Sequence, residues 1–215
     1  RCRAKGSSLD ECTPMINIAR ALRLSALLLI LISSNTLAQE TLSELEQLRK
    51  SAEAGDSAAQ FELGNRYLYG DGVVADDFEA ARLFRQAAEQ DENNAQYNLG
   101  VMLMQGKGVI ADLPEAIEWF LKAANLGDAP AQFTMATLYA NGQGVQQDPL
   151  LAHMWFTIAA SGGHKAAAAN VVLYQELMSD RQIVEAQRMA TAWVEDFNEK
   201  RAMEDNAAAM RAGEQ

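Results

Sequence analysis

The sequence predicts an all-α fold, a solenoid of stacked antiparallel helix pairs. Glycines recur at a fixed step of 36 residues, at Gly70, Gly106 and Gly142. Apolar residues spaced by three or four positions on either side of these glycines indicate two helices in each period. A period between 20 and 50 residues is typical of a solenoid, because each unit buries its apolar face only against its neighbours.

Other residues recur at the same 36-residue step as the glycines. A second glycine two positions on, small residues, apolar residues, an acid and an aromatic all keep the same register. When the three repeats are aligned, each aligned position, or column, holds one residue from each repeat. The columns are Gly72, Gly108, Gly144; Ala59, Ala95, Ala131; Leu63, Leu99, Met135; Val73, Val109, Val145; Asp76, Asp112, Asp148; Ala80, Ala116, Ala152; Phe84, Phe120, Phe156; and Ala87, Ala123, Ala159.

One unit is predicted to contain a helix A, a tight turn and a helix B. The segment that ends at Gly70 and Gly72 terminates helix A, because glycine adopts the left-handed conformation of a helix C-terminus at little cost. Asp76 is predicted to be the N-cap of helix B, and Glu79 three residues later suggests an acidic capping box. Gly64, within helix A, is expected to let helices A and B approach closely.

A phosphate-binding loop is the alternative explanation for the glycines. Residues 106–111, GKGVIA, match a loose dinucleotide fingerprint. That motif requires a preceding strand within a βαβ unit, whereas a helix is predicted to precede it here in three equivalent copies. The glycines are therefore interpreted as turns, and no cofactor is expected.

The N-terminal part of the chain has its own pattern. Residues 1–14 precede the first methionine and are expected to be a non-native leader, and residues 15–38 resemble a secretory signal peptide cleaved after Ala38. An uncleaved membrane anchor is the alternative, but its apolar run is shorter than the roughly 20 residues that span a bilayer. The chain is therefore expected to be periplasmic or secreted, without membrane insertion of the mature part.

The mature part is predicted to form one helical-repeat domain over residues 39–200. Its predicted parts are a half-repeat (41–56), three full repeats (57–92, 93–128 and 129–164) and a capping helix pair (165–200). The second helix of the capping pair is predicted to bury the stripe of Ile183, Ala186, Ala190, Trp193 and Phe197. Residues 201–215 are expected to be a frayed or disordered tail.

The charge excludes some classes of partner. The formal charge is −11, and residues 1–38 contribute +3, so the remainder carries −14. Such a surface repels phosphate backbones, so no nucleic-acid partner is expected, while a protein or peptide partner, including a basic one, is favoured. Both cysteines, Cys2 and Cys12, lie in the leader, so the domain is expected to depend on its packed core rather than on disulfides.

Catalytic and metal-binding residues are not predicted. Neither His153 nor His164 has a second histidine or a cysteine nearby at the spacing of a zinc site. Motifs for a serine, cysteine or metal hydrolase are missing from the sequence. Trp119 and Trp155 share a column with Leu83 and are predicted to fill the core.

The repeat resembles a known family. The order of alanine, leucine-glycine, tyrosine, Gly-x-Gly-Val, aspartate, alanine and phenylalanine is similar to the Sel1-like repeat, a tetratricopeptide-like helical repeat. The resemblance implies a right-handed α-solenoid, a tetratricopeptide-like superhelix. It further implies an adaptor or scaffold without catalytic activity, since exported relatives act in signalling or envelope assembly.

The predicted function is a periplasmic protein-protein interaction scaffold that presents a concave surface to an envelope protein. Helix A positions that vary between units are the candidate partner-binding residues: Glu62, Asn65, Tyr69, Asn98, Val101, Gln105, Thr134, Thr137 and Asn141. Two alternatives stay open. One is a β-lactam-binding or β-lactam-hydrolysing enzyme like the cysteine-rich branch of the family, although the cysteine pairs of that branch are missing. The other is a structural subunit of an envelope assembly machine.

Overall fold

A computed structural model describes residues 43–213, and the predicted leader and signal peptide lie outside these residues. The chain divides into two units, one ending at Leu48 and one beginning at Arg49. Of the first unit only the start of one helix is described, and all later helices belong to the second unit. The helices are α1 (43–53), α2 (Ser57–Tyr69), α3 (Asp77–Ala88), α4 (Asn93–Gln105), α5 (Leu113–Asn125), α6 (Ala129–Asn141), α7 (Pro149–Ser161), α8 (Lys165–Leu177) and α9 (Asp180–Gly213).

Helices α2 to α8 pack in chain order, as the sequence predicts. Contacts within pairs join α2 to α3, α4 to α5 and α6 to α7, and contacts between pairs join α3 to α4, α5 to α6 and α7 to α8. The second unit is therefore an all-α solenoid of stacked antiparallel helix pairs. Within residues 43–213 no strand is present.

The turns confirm the interpretation of the glycines. Gly70, Gly106 and Gly142 each cap a helix A in the left-handed conformation, with φ of 72°, 66° and 67°. A helix, not a strand, precedes Gly106. The GKGVIA segment thus lacks the context of a phosphate-binding loop.

The aspartate N-caps are also confirmed, with one correction. Asp76 accepts hydrogen bonds from the backbone N–H groups of Phe78 and Glu79. The predicted capping box is incomplete, because the N–H of Asp76 donates to the carbonyl of Tyr67 and the Glu79 carboxylate binds Arg82. Arg82 donates to both oxygens of the Glu79 carboxylate, and such a bidentate pair of two charged groups is a strong hydrogen-bonding arrangement.

The centre of the core holds one phenylalanine from each helix B. Phe84, Phe120 and Phe156 are buried, and each contacts an aromatic residue of its own helix A at ring-centroid distances of 5.6–5.8 Å. Gly64 and Gly100 make this possible, since a Cβ at either position would lie 2.7 Å from the Phe84 or Phe120 ring. The predicted close approach of helices A and B is therefore confirmed. Trp119 and Trp155 are likewise buried.

A repeated buried glutamine joins successive pairs, and sequence reasoning did not single it out. Gln60, Gln96 and Gln132 are at most 4% exposed. Each side-chain amide donates to the carbonyl of the residue eight positions earlier, namely Ala52, Ala88 and Ala124, at 3.1, 3.3 and 3.1 Å. A polar residue recurring at the repeat period inside an apolar run was the available signal.

The C-terminal end differs from the predicted capping pair. The stripe predicted for the last helix does face inward, with Ala186 and Ala190 buried, but α9 packs mainly against α7 rather than α8. Trp193 of α9 contacts Trp155 at 5.7 Å and donates to the Asn125 side chain at 3.4 Å. Paired aromatic rings bury a large apolar area, so this contact contributes to the packing of α9 against α7.

The predicted tail also differs. Helix α9 continues to Gly213, and nearly all of its side chains over 201–211 are exposed. Residues 201–211 include four alanines, two methionines and two arginines, which have high intrinsic helix propensity. Among the described residues, no helix is both long and apolar enough to span a membrane.

Candidate interaction surface

The candidate surface consists of helix A positions that differ from repeat to repeat. Here "A-helix surface" denotes the nine residues predicted to bind a partner, three each on α2, α4 and α6. Four are exposed and five are half-buried, so none is lost to the core. Four of the nine, Tyr69, Asn98, Val101 and Gln105, line a single groove.

This groove lies between α2 and α4 and has a volume of about 340 Å³. Its wall combines the rings of Tyr69 and Tyr97, the aliphatic chains of Leu68, Val101 and Met102, and the polar ends of Asn98, Gln105 and Lys107. Tyr69 is 76% exposed and stands at the edge. Apolar walls with a few amide groups are typical of sites that bind an organic side chain.

Two asparagines connect the neighbouring A helices. The amide of Asn98 donates to the side-chain oxygen of Asn65 at 3.5 Å, which is a long hydrogen bond. Both are half-buried, so a partner that offers a better-placed polar group can replace this bond at low cost.

The α6 residues are less available for binding. The hydroxyls of Thr134 and Thr137 donate to the carbonyls of Pro130 and Phe133 in their own helix, both at 2.9 Å. Their donor capacity is used, so only their oxygen lone pairs remain for a partner. Asn141 is exposed at the end of α6 but does not line the groove.

The A-helix surface carries almost no net charge. Helices α4 and α6 contain no Asp, Glu, Lys or Arg, and in α2 Glu62 forms an ion pair with Arg66 at 3.2 Å. Lys107 at the rim of the groove pairs with Asp77 at 3.1 Å. The excess negative charge of the chain therefore lies elsewhere.

A larger cavity of about 700 Å³ lies beside α2 and α3, and sequence reasoning did not predict it. Its lining includes Arg49, Glu53, Tyr67, Glu79 and Arg82. The hydrogen bond from Arg82 lowers the pKa of Glu79 and raises that of Arg82. The two groups form an ion pair that is partly exposed to solvent, and such pairs contribute little to stability.

The two histidines serve the fold. His164 caps α8, accepting from the N–H of Ala167 at 3.3 Å, and its ring stacks on Phe133 at 4.3 Å. His153 is fully buried, its Nε2 has no hydrogen-bond partner, and burial lowers its pKa. Within residues 43–213 no group of three His, Cys, Asp or Glu side chains is placed to hold a metal ion.

The comparisons with known proteins agree with this architecture. A family model described as Sel1 repeat matches residues 57–92, 93–128 and 129–164. A Sel1 repeat protein from Oxalobacter formigenes is 40% identical, covering 60% of this chain and 96% of that one, with a TM-score of 0.56. A protective antigen of uropathogenic Escherichia coli strains, described as displaying an SLR fold, is 28% identical with a TM-score of 0.55.

The match to the E. coli antigen covers 73% of this chain and 41% of the antigen, so this chain spans less than half of that relative. No curated protein sequence matches significantly. Sel1 repeat proteins are typically non-catalytic scaffolds for protein-protein interaction. With its three matched repeats and the pairwise helix packing, the chain belongs to the Sel1 repeat family.

Proposed function

We propose that the chain is a non-catalytic scaffold whose A-helix surface binds an uncharged segment of a partner protein. The observation that carries the proposal is the groove between α2 and α4, where Tyr69, Asn98, Val101 and Gln105 meet. These residues come from two different repeats, so the groove exists only when the repeats are stacked.

The chemistry of the groove defines the partner. Its aromatic and aliphatic walls suit one apolar anchor side chain, and its volume is at the small end of ligand pockets. The amides of Asn98 and Gln105 can donate to and accept from a peptide backbone. Since the charged groups nearby, Glu62 with Arg66 and Lys107 with Asp77, are already paired, the surface favours an uncharged segment over the basic partner expected from net charge alone.

A displayed library of random peptides, selected on the purified chain, tests the proposal. We expect enriched peptides to share an apolar anchor, to carry few charges, and to bind with an affinity that changes little between low and high salt. Coulombic contacts between exposed groups weaken as salt rises, so a strongly salt-dependent, lysine-rich selection would contradict the proposed chemistry.

Substitutions in the groove provide the matched comparison. Asn98→Arg places a bulky charge between Asn65 and the groove, and we expect binding of a selected peptide to weaken by roughly tenfold or more, as for a central interface position. Ile110→Arg is the control, because Ile110 is 91% exposed and does not line the groove. Equal binding by both variants would show that the peptide contacts a different surface.

We also propose that the chain acts outside the cytoplasm, in the periplasm or as a secreted protein. The support is the signal-peptide pattern of residues 15–38, which lie outside the described residues. N-terminal sequencing of the protein recovered from a bacterial periplasm is expected to begin at Gln39. Recovery of the unprocessed chain in the cytoplasm would contradict the proposal.

A further inference from the structure

The outer face of α8 is apolar and uncovered by the described part of the chain. Val172, Leu173 and Leu177 are 58%, 50% and 72% exposed, and Ala168 and Ala169 beside them are exposed as well. In the earlier repeats each A helix packs against the B helix of its own pair, whereas α9, the second helix of the last pair, packs mainly against α7 instead of α8.

The charges on this face have a simple arrangement. Lys165 lies near the start of α8 and Glu176 near its end, and both are exposed along the same side of the helix. They are eleven residues apart, which is about 16 Å at 1.5 Å per residue, so they cannot pair with each other. Neither forms an ion pair with another described residue.

We infer that α8 pairs with α8 of a second copy of this chain, in an antiparallel arrangement about a two-fold axis near Asn170 and Val171. In such a symmetric contact, each residue meets a partner at the same distance on the other side of the axis. Lys165 then lies opposite Glu176 of the second copy, and Val172 lies opposite its Ala169. The two-fold axis repeats both contacts, so the dimer contains each of them twice.

The pattern of charge and size distinguishes this arrangement from a parallel one. A parallel pair would place Lys165 against Lys165 and Val172 against Val172 of the second copy. The antiparallel pair instead matches opposite charges and sets large side chains against small ones, which allows the two helices to pack closely. This inference concerns the end of the solenoid and does not depend on the proposed peptide site between α2 and α4.

The length of α8 limits the strength of the contact. Its 13 residues extend about 20 Å, so one helix pair buries less than the roughly 1,600 Å² of a standard interface. We therefore expect a weak dimer that dissociates on dilution. Sedimentation velocity of the full chain, in reducing buffer to keep Cys2 and Cys12 from cross-linking, is expected to show monomer at low micromolar concentration and dimer at several hundred micromolar.

Substitution of an apolar residue tests the contact itself. Leu173→Glu buries charge in the contact and is expected to raise the dissociation constant by roughly tenfold or more, as loss of a buried leucine does. Ile110→Glu, at a 91% exposed loop position, is the control and is expected to leave the dissociation constant unchanged. A monomer at every concentration, or a dimer equally tight with Leu173→Glu, would overturn the inference.

A charge exchange tests the antiparallel register without disturbing the apolar contact. Lys165→Glu alone and Glu176→Lys alone each create two like-charge contacts per dimer, so both are expected to weaken it. The double variant restores both pairs with reversed sign and is expected to dimerise like the original chain. Because both positions are exposed, circular dichroism is expected to show unchanged helix content, and failure of the double variant to recover would overturn the proposed register.

Discussion

The second glycine of each turn has the same backbone conformation in every repeat but different neighbours. Gly72, Gly108 and Gly144 have φ of 71°, 67° and 70°. A Cβ at Gly72 would meet only the end of the Arg66 side chain, at 3.7 Å. A Cβ at Gly108 would overlap the backbone carbonyl of Asp77 and lie 2.8 Å from the amide nitrogen of Phe78.

Alanine substitution at Gly72 and Gly108 therefore distinguishes the cost of a positive φ at alanine from the cost of a steric overlap. Both variants place a residue with a Cβ in the left-handed region, which costs about 1–2 kcal/mol. Only Gly108→Ala must also push the turn away from the N-terminus of α3, and overpacking of this kind costs about 1–3 kcal/mol. We expect the free energy of unfolding to fall by about 1–2 kcal/mol for Gly72→Ala and, since both costs add, by about 2–5 kcal/mol for Gly108→Ala.

Gly144 provides an intermediate case. A Cβ there would lie 2.6 Å from Cδ1 of Ile117 and 2.9 Å from Cδ2 of Leu113, which are ends of flexible side chains rather than backbone. These side chains can change rotamer, so Gly144→Ala is expected to fall between the other two variants.

Urea denaturation followed by circular dichroism measures the three free energies of unfolding. If the free energy of unfolding falls with urea concentration at the same slope in all variants, each exposes the same amount of surface on unfolding. The urea concentrations at the midpoints of unfolding can then be compared directly. If Gly108→Ala destabilised the protein no more than Gly72→Ala, the turn would not be held against α3, and the reasoning from close approach would be wrong.

Three further predictions use the same assay. Gln132→Met removes the side-chain hydrogen bond to the Ala124 carbonyl, which still accepts from the N–H of Gly127. The free energy of unfolding is therefore expected to fall by about 0.5–1.5 kcal/mol. An unchanged value would mean that this bond adds nothing to stability. Burial lowers the pKa of His153 in the folded state, so the unfolded chain takes up a proton first as the pH falls below 6.5. The free energy of unfolding is therefore expected to decrease below that pH, by at most about 1.4 kcal/mol per pH unit. The variant His153→Met is expected to lose that part of the pH dependence, and an unchanged profile would contradict the assignment. Gly100→Ala places a methyl group 2.7 Å from the Phe120 ring, and this overpacking is expected to reduce the free energy of unfolding by about 1–3 kcal/mol. The higher helix propensity of alanine offsets about 1 kcal/mol of that loss. A net stabilisation would show that the ring moves away without cost.

Much of the candidate surface could be predicted from sequence, because helix periodicity fixes which side of a helix a residue occupies. All nine predicted residues are exposed or half-buried, and four line one groove. Which of them meet could not be predicted. Asn98 approaches Asn65 and Tyr69 only because of the offset between stacked pairs, whereas Thr134 and Thr137 use their donors within their own helix.

The sequence by itself determined the repeat, its helices, their caps and the identity of the turn glycines. Each of these depends on interactions within a few residues, such as an aspartate that accepts from the next turn or a glycine that adopts positive φ. The 36-residue period then implied stacking, since one helix pair cannot bury its own apolar face.

Only the tertiary structure decided how the helices pack where the repeat ends. Trp193 contacts Trp155 where α9 packs against α7, and the apolar face of α8 is left uncovered by the residues that the structure describes. Residues 38 positions apart in sequence meet there, and local periodicity carries no information about which of two available helices a third will pack against. The same applies to His153, whose complete burial follows from neighbours on other helices and not from its own segment.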